Sequence, residues 1–105
     1  MNMTKSLIRV MPEKELIPFI GREVNVYGTS IALFRLSDGT IKAVGSRCPH
    51  TNGPLAEGIV SGEFVYCPLQ NWKVSLTTGK VQAPDEGEVP TYETVIENGN
   101  IFVSI

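Results

Sequence analysis

The residues of this sequence best suited to chemistry gather in two short segments, Cys48-Pro49-His50 and Cys67-Pro68-Leu69-Gln70-Asn71-Trp72. The 2 cysteines and the 1 histidine of the chain all fall inside them. Each segment opens with Cys-Pro and offers a polar side chain two or three residues later, His50 in the first and Gln70 in the second. A proline after the cysteine fixes the local backbone direction and removes a competing amide donor. Thiolate and imidazole are metal donors. In a reducing compartment two cysteines point to metal or redox chemistry before a structural disulfide. Taken singly, each residue also has an ordinary reading. A free cysteine is commonly a small buried apolar residue, and a lone histidine is commonly a hydrogen-bonded core or surface group. The matched Cys-Pro contexts favour a shared site.

The elements that would hold these segments read as β-strands. Runs rich in β-branched and aromatic residues occupy 7–11, 23–27, 31–36, 41–44, 64–67, 72–76, 92–96 and 101–105. Some alternate with period two, so Ile101, Val103 and Ile105 share one face, as do Val24 and Val26. Polar turns separate the runs, at Gly28-Thr29-Ser30, Ser37-Asp38-Gly39-Thr40, Thr77-Thr78-Gly79-Lys80 and Asn98-Gly99. Asp-Gly and Asn-Gly are hairpin signals because type I′ turns need positive φ at both central residues. Eight short strands at this spacing predict an all-β antiparallel sandwich or barrel. Pro12 can begin a single helical turn through Leu16, which Pro18 stops. The stretch 45–62, with Cys48, Pro49, His50, Asn52, Gly53, Pro54 and Gly58, reads as loop between strands, where function concentrates. Gly53 and Pro54 shape that loop, Gly58 allows a turn, and Trp72 packs beneath the second segment.

Length and composition fit one domain over 1–105, with 45–78 as the subdomain bearing the two segments. Net charge is 9 − 11 = −2, too small to steer the chain to nucleic acid or an acidic membrane surface. The acidic residues Asp85, Glu86 and Glu88 cluster; they read as a solvated loop or as a docking edge for a basic partner. No run approaches the roughly 18 apolar residues of a membrane span. The apolar run after the start is too short for a signal peptide, so the expected location is cytoplasmic. No G-x-G-x-x-G fingerprint and no cysteine quartet for a [4Fe–4S] cluster occur, and with 1 histidine no Ser-His-Asp set is expected.

Cys-x-His followed by Cys-x-x-His is the ligand pattern of a Rieske [2Fe–2S] centre. The run from Cys48 to Leu55 resembles the first Rieske box, and the run from Cys67 to Trp72 resembles the second with one substitution. The likeness extends to Ile31-Ala-Leu-Phe-Arg-Leu, to the run from Gly53 to Gly58, and to the run from Trp72 to Gly79. Across nearly all 105 residues the chain is similar to small subunits of assimilatory NAD(P)H-dependent nitrite reductases. The resemblance implies a Rieske-like fold with a two-loop cluster-binding subdomain. It implies Cys48 and Cys67 on the inner iron, and His50 with residue 70 on the outer one.

Residue 70 departs from the pattern. It is Gln, and a neutral amide oxygen is a poor substitute for imidazole on iron. The implied ligand set is Cys48, His50, Cys67 and Gln70, one imidazole short, which argues against stable binding of a [2Fe–2S] cluster. Coordination by the Gln70 amide, or completion of the site by a partner, stays open. So does a zinc ion on Cys48, His50, Cys67 and water. An empty site would leave Cys48 and Cys67 close enough to oxidise to a disulfide if the geometry permits.

Three functions compete. The first is a nitrite reductase small subunit that docks on a large catalytic subunit in nitrite assimilation to ammonia, with or without electron transfer, and is inactive alone. The family pattern puts flavin, a [4Fe–4S] cluster and sirohaem on that large partner. The second is a stand-alone Rieske ferredoxin, against which Gln70 argues directly. The third is a cluster-free structural or interaction module.

Overall fold

The computed structural model describes residues 6–48, 53–68 and 72–105. The strands are β1 (Leu7–Pro12), β2 (Arg22–Val26), β3 (Thr29–Arg35), β4 (Ile41–Gly45), β5 (Ile59–Ser61), β6 (Phe64–Tyr66), β7 (Lys73–Ser75), β8 (Thr91–Tyr92), β9 (Thr94–Glu97) and β10 (Asn100–Ser104). Helical structure among the described residues is limited to 3₁₀ turns at Glu13–Glu15 and Leu55–Glu57. None of it is long and apolar enough to cross a membrane. The strands form three sheets, β1-β10-β9, β2-β3-β4-β8 and β5-β6-β7, and every strand pair is antiparallel. The all-β antiparallel architecture expected from the turn spacing is therefore the one observed.

The four-stranded sheet divides two cores. Successive side chains on a strand point to opposite faces, and β3 buries both. Ile31 and Leu33 join Met11, Leu16, Val26, Ile41, Ala43, Ile101 and Val103 in one core. Ala32 and Phe34 join Val44, Leu55, Val60, Val65, Val74 and the two cysteines in the other. The central sheet thus has the β1-β10-β9 sheet on one side and the β5-β6-β7 sheet with the cysteine loops on the other. This explains why residues 31–34 are apolar without interruption: both faces of that strand are inside. Arg35, just past the run, braces the loop before β2. Its guanidinium donates to the carbonyls of Leu16 (2.8 Å) and Glu13 (2.7 Å) and to the Glu13 carboxylate (3.0 Å).

Several boundaries differ from the sequence reading, each for a local reason. Residues 92–96 form two strands, because the chain leaves β4 after Tyr92 and joins β10 from Thr94. The Ser104 N–H donates to the Glu93 carbonyl at that crossing. Within 45–62, read as loop, lie the Leu55–Glu57 turn and β5. Three residues are too few to show a period, and Ile59 on β5 is 72% exposed. The expected turn at 28–30 falls at Tyr27 and Gly28, both with left-handed φ (51° and 85°), while Thr29 and Ser30 begin β3. Asn98 and Gly99 take the expected pair of positive φ values, 52° and 76°. At Asp38-Gly39 only the glycine does so (92°), and the Asp38 carboxylate instead accepts the Thr40 N–H. Gly58 makes no left-handed turn. A Cβ there would collide with the Tyr66 carbonyl oxygen and press on Val65, so its glycine permits close approach rather than special φ.

Candidate functional site

The two cysteine segments are loops of closely similar construction. The first continues β4: Ser46 accepts the Leu55 N–H at its carbonyl, Arg47 bridges Pro54, and the Cys48 N–H donates to the Gly53 carbonyl at 2.8 Å. The second caps the β6–β7 hairpin: Tyr66 pairs with Lys73, and the Cys67 N–H donates to the Trp72 carbonyl at 2.8 Å. In both, a cysteine opens a six-residue loop closed by its own amide. Gly53 closes the first loop through its carbonyl, and Trp72 packs against the core beside Cys67.

The closures turn both thiols inward. Cys48 and Cys67 are 3% and 1% exposed and belong to one buried cluster. The two thiols are close enough to influence each other. Burial, together with the adjacent Cys48 thiol, pushes the Cys67 thiol up to about 12. A thiol so placed stays protonated at neutral pH unless a cation displaces its proton. The structure therefore unites the two cysteines that the sequence singled out. His50 and Gln70 lie outside the described residues. Among the described residues no group of three His, Cys, Asp or Glu side chains converges.

Sequence reasoning missed Ser46. It is 2% exposed, and its hydroxyl has no hydrogen-bond partner among the described residues. Ser46 and Cys48 are both buried while Arg47 between them is exposed and paired with Glu23 at 3.6 Å. The buried position of Ser46 two residues from Cys48 follows a period-two alternation, which was the signal available for it. The segment before the acidic residues runs along β7, where the Gln82 N–H donates to the Lys73 carbonyl, and Glu88 bridges Lys80 towards the other end of that strand. Glu86 and Glu88 are exposed, and Asp85 is half-buried. A groove of about 650 Å³ bordered by Thr40, Lys42, Thr77 and Glu93 lies at the far ends of β4 and β7 from the cysteines.

The family model of the Rieske-like [2Fe-2S] domain matches residues 6–104. The chain is a Rieske-like domain. Among solved structures it resembles a chain from Mycobacterium tuberculosis provisionally named an NADH-dependent nitrite reductase small subunit. The identity is 28%, the TM-score 0.88, and 96% of each chain is covered. It also resembles the ferredoxin of carbazole 1,9a-dioxygenase from Nocardioides aromaticivorans IC177, with 25% identity, TM-score 0.85, and 93% and 96% of the two chains covered. Among curated proteins it is 36% identical over 93 residues to the 3-phenylpropionate/cinnamic acid dioxygenase ferredoxin subunit of Photorhabdus laumondii. That alignment covers 87% of this chain and 88% of the relative. Of several larger desaturase and monooxygenase chains that it also matches, the Rieske-like domain spans only 14% to 23%.

A Rieske [2Fe–2S] group takes two thiolates on one iron and two imidazoles on the other. Buried together, Cys48 and Cys67 suit the thiolate half. The imidazole half does not fit, because these 105 residues contain 1 histidine.

Proposed function

We propose that this Rieske-like domain is the small subunit of an NAD(P)H nitrite reductase and that its role is to dock on the large catalytic subunit. The observation that supports this best is the end-to-end likeness to the M. tuberculosis small subunit, 96% of each chain at a TM-score of 0.88. In this reading Cys48 and Cys67 occupy the inner-iron positions of the family pattern, and His50 and Gln70 occupy the outer ones. With an amide in place of one imidazole, the domain keeps the scaffold and half of the ligands. Flavin, [4Fe–4S] and sirohaem belong to the large subunit, which performs the reduction of nitrite. The acidic residues Asp85, Glu86 and Glu88, together with the loops that Cys48 and Cys67 open, are the docking face towards a basic partner surface in this reading.

A second reading, a free ferredoxin that carries electrons to an oxygenase, is favoured by the 36% identity to the dioxygenase ferredoxin subunit. Co-expression with a nitrite reductase large subunit separates the two. A stable complex whose nitrite-reducing activity depends on this chain supports the first. Failure to associate, together with reduction of the chain by a ferredoxin reductase, would replace it with the second.

A further inference from the structure

Cys48 and Cys67 stand 67 − 48 = 19 positions apart in the sequence, yet they are buried together against one core. Each is the first residue of a loop closed by its own amide at 2.8 Å. Loop motion therefore does little to separate the sulfurs. The approach of two side chains has already been fixed by folding, which removes most of the entropy cost of joining them. Neither thiol is committed to a complete iron site, because the imidazole half is short. At 3% and 1% exposure they are shielded from bulky reagents, so an oxidant must be small.

We propose that Cys48 and Cys67 are a redox-active pair that closes to an intrachain disulfide on exposure to hydrogen peroxide. One sulfur gives up its proton and attacks the peroxide as the thiolate; an S–O bond forms, the O–O bond breaks, and the departing hydroxide takes up that proton to leave as water. The second thiol then attacks that sulfur, the S–S bond forms, and the hydroxyl leaves with the second thiol's proton as another water. Two thiols lose two electrons and two protons in total, and one peroxide becomes two waters. The product clamps the two loops together and withdraws both thiolates from any metal. This inference rests on the loop geometry and not on the nitrite reductase reading.

The test uses the full chain, purified without oxygen in the presence of a chelator, then exposed to hydrogen peroxide and quenched. The expected result is a fall from the 2 thiols of the sequence to none. No chain becomes covalently linked to another, the mass falls by two hydrogens, and digestion yields one cross-linked peptide pair holding Cys48 and Cys67. A dithiol reductant restores both thiols. Cys48→Ser and Cys67→Ser, each checked for native circular dichroism, give no intrachain cross-link. Two thiols retained after treatment would overturn the proposal. So would oxygen atoms added to each sulfur without a link, or cross-links found only between chains.

Discussion

The loop from Cys48 to Gly53 and the loop from Cys67 to Trp72 share a frame: a cysteine amide bonded to the carbonyl five residues on, a thiol turned inward, and an antiparallel pair beneath. They differ in the side chain beyond the Cys-Pro start, where the first places a histidine and the second a glutamine. The comparison teaches that the frame and the donors are specified separately. The frame depends on backbone hydrogen bonds and on the apolar side chains below, so it tolerates a changed side chain in the loop. In the proposed reading, metal chemistry depends on every donor, so one replacement weakens it.

The frame is best broken from below. Phe34 is fully buried in the core that carries both cysteines. Phe34→Ala should cost about 3–5 kcal/mol of folding stability, as buried aromatic truncations do. It should also speed the reaction of both thiols with a small alkylating agent. Urea unfolding and timed mass spectrometry check the two effects. Reaction of only one thiol would mean that the loops do not rest on a shared core. Joining the loops should act in the opposite sense. A Cys48–Cys67 disulfide closes a loop of about 20 residues and should add about 3 kcal/mol by the chain-entropy estimate. At this chain length that corresponds to a Tm rise of about 10 °C or more, read by calorimetry on reduced and oxidised protein. Gly58→Ala should have the smallest effect. Its new methyl group meets the Tyr66 carbonyl just before Cys67, and relief of the overlap should cost about 1–3 kcal/mol. An unchanged unfolding midpoint would show that the contact between the Leu55–Glu57 turn and β6 is loose.

Much of this frame was legible in the sequence. Alternation placed Ile101 and Val103 on a buried face, and Asn98-Gly99 marked its hairpin because both residues must accept positive φ. The Cys-Pro pairs marked the loops. What was hidden depended on contacts distant in sequence. The division of 92–96 between two sheets is decided by β4 and β10, not by the segment itself. The need for glycine at 58 comes from Tyr66, and the buried Ser46 hydroxyl has no signature beyond its parity with Cys48. The meeting of the two cysteines was expected from their matched Cys-Pro contexts and from family likeness, since nothing in a separation of 67 − 48 = 19 residues by itself brings two side chains together.

Iron loading of the wild-type chain and of Gln70→His, reconstituted side by side without oxygen, tests the separation of frame from donors most directly. Iron and sulfide content would be read together with the electron paramagnetic resonance of the dithionite-reduced samples. The account predicts a wild-type chain with little retained iron and no Rieske signal, and a clear gain of both in Gln70→His. A wild-type chain that holds a full two-iron complement and shows the Rieske signal would contradict it.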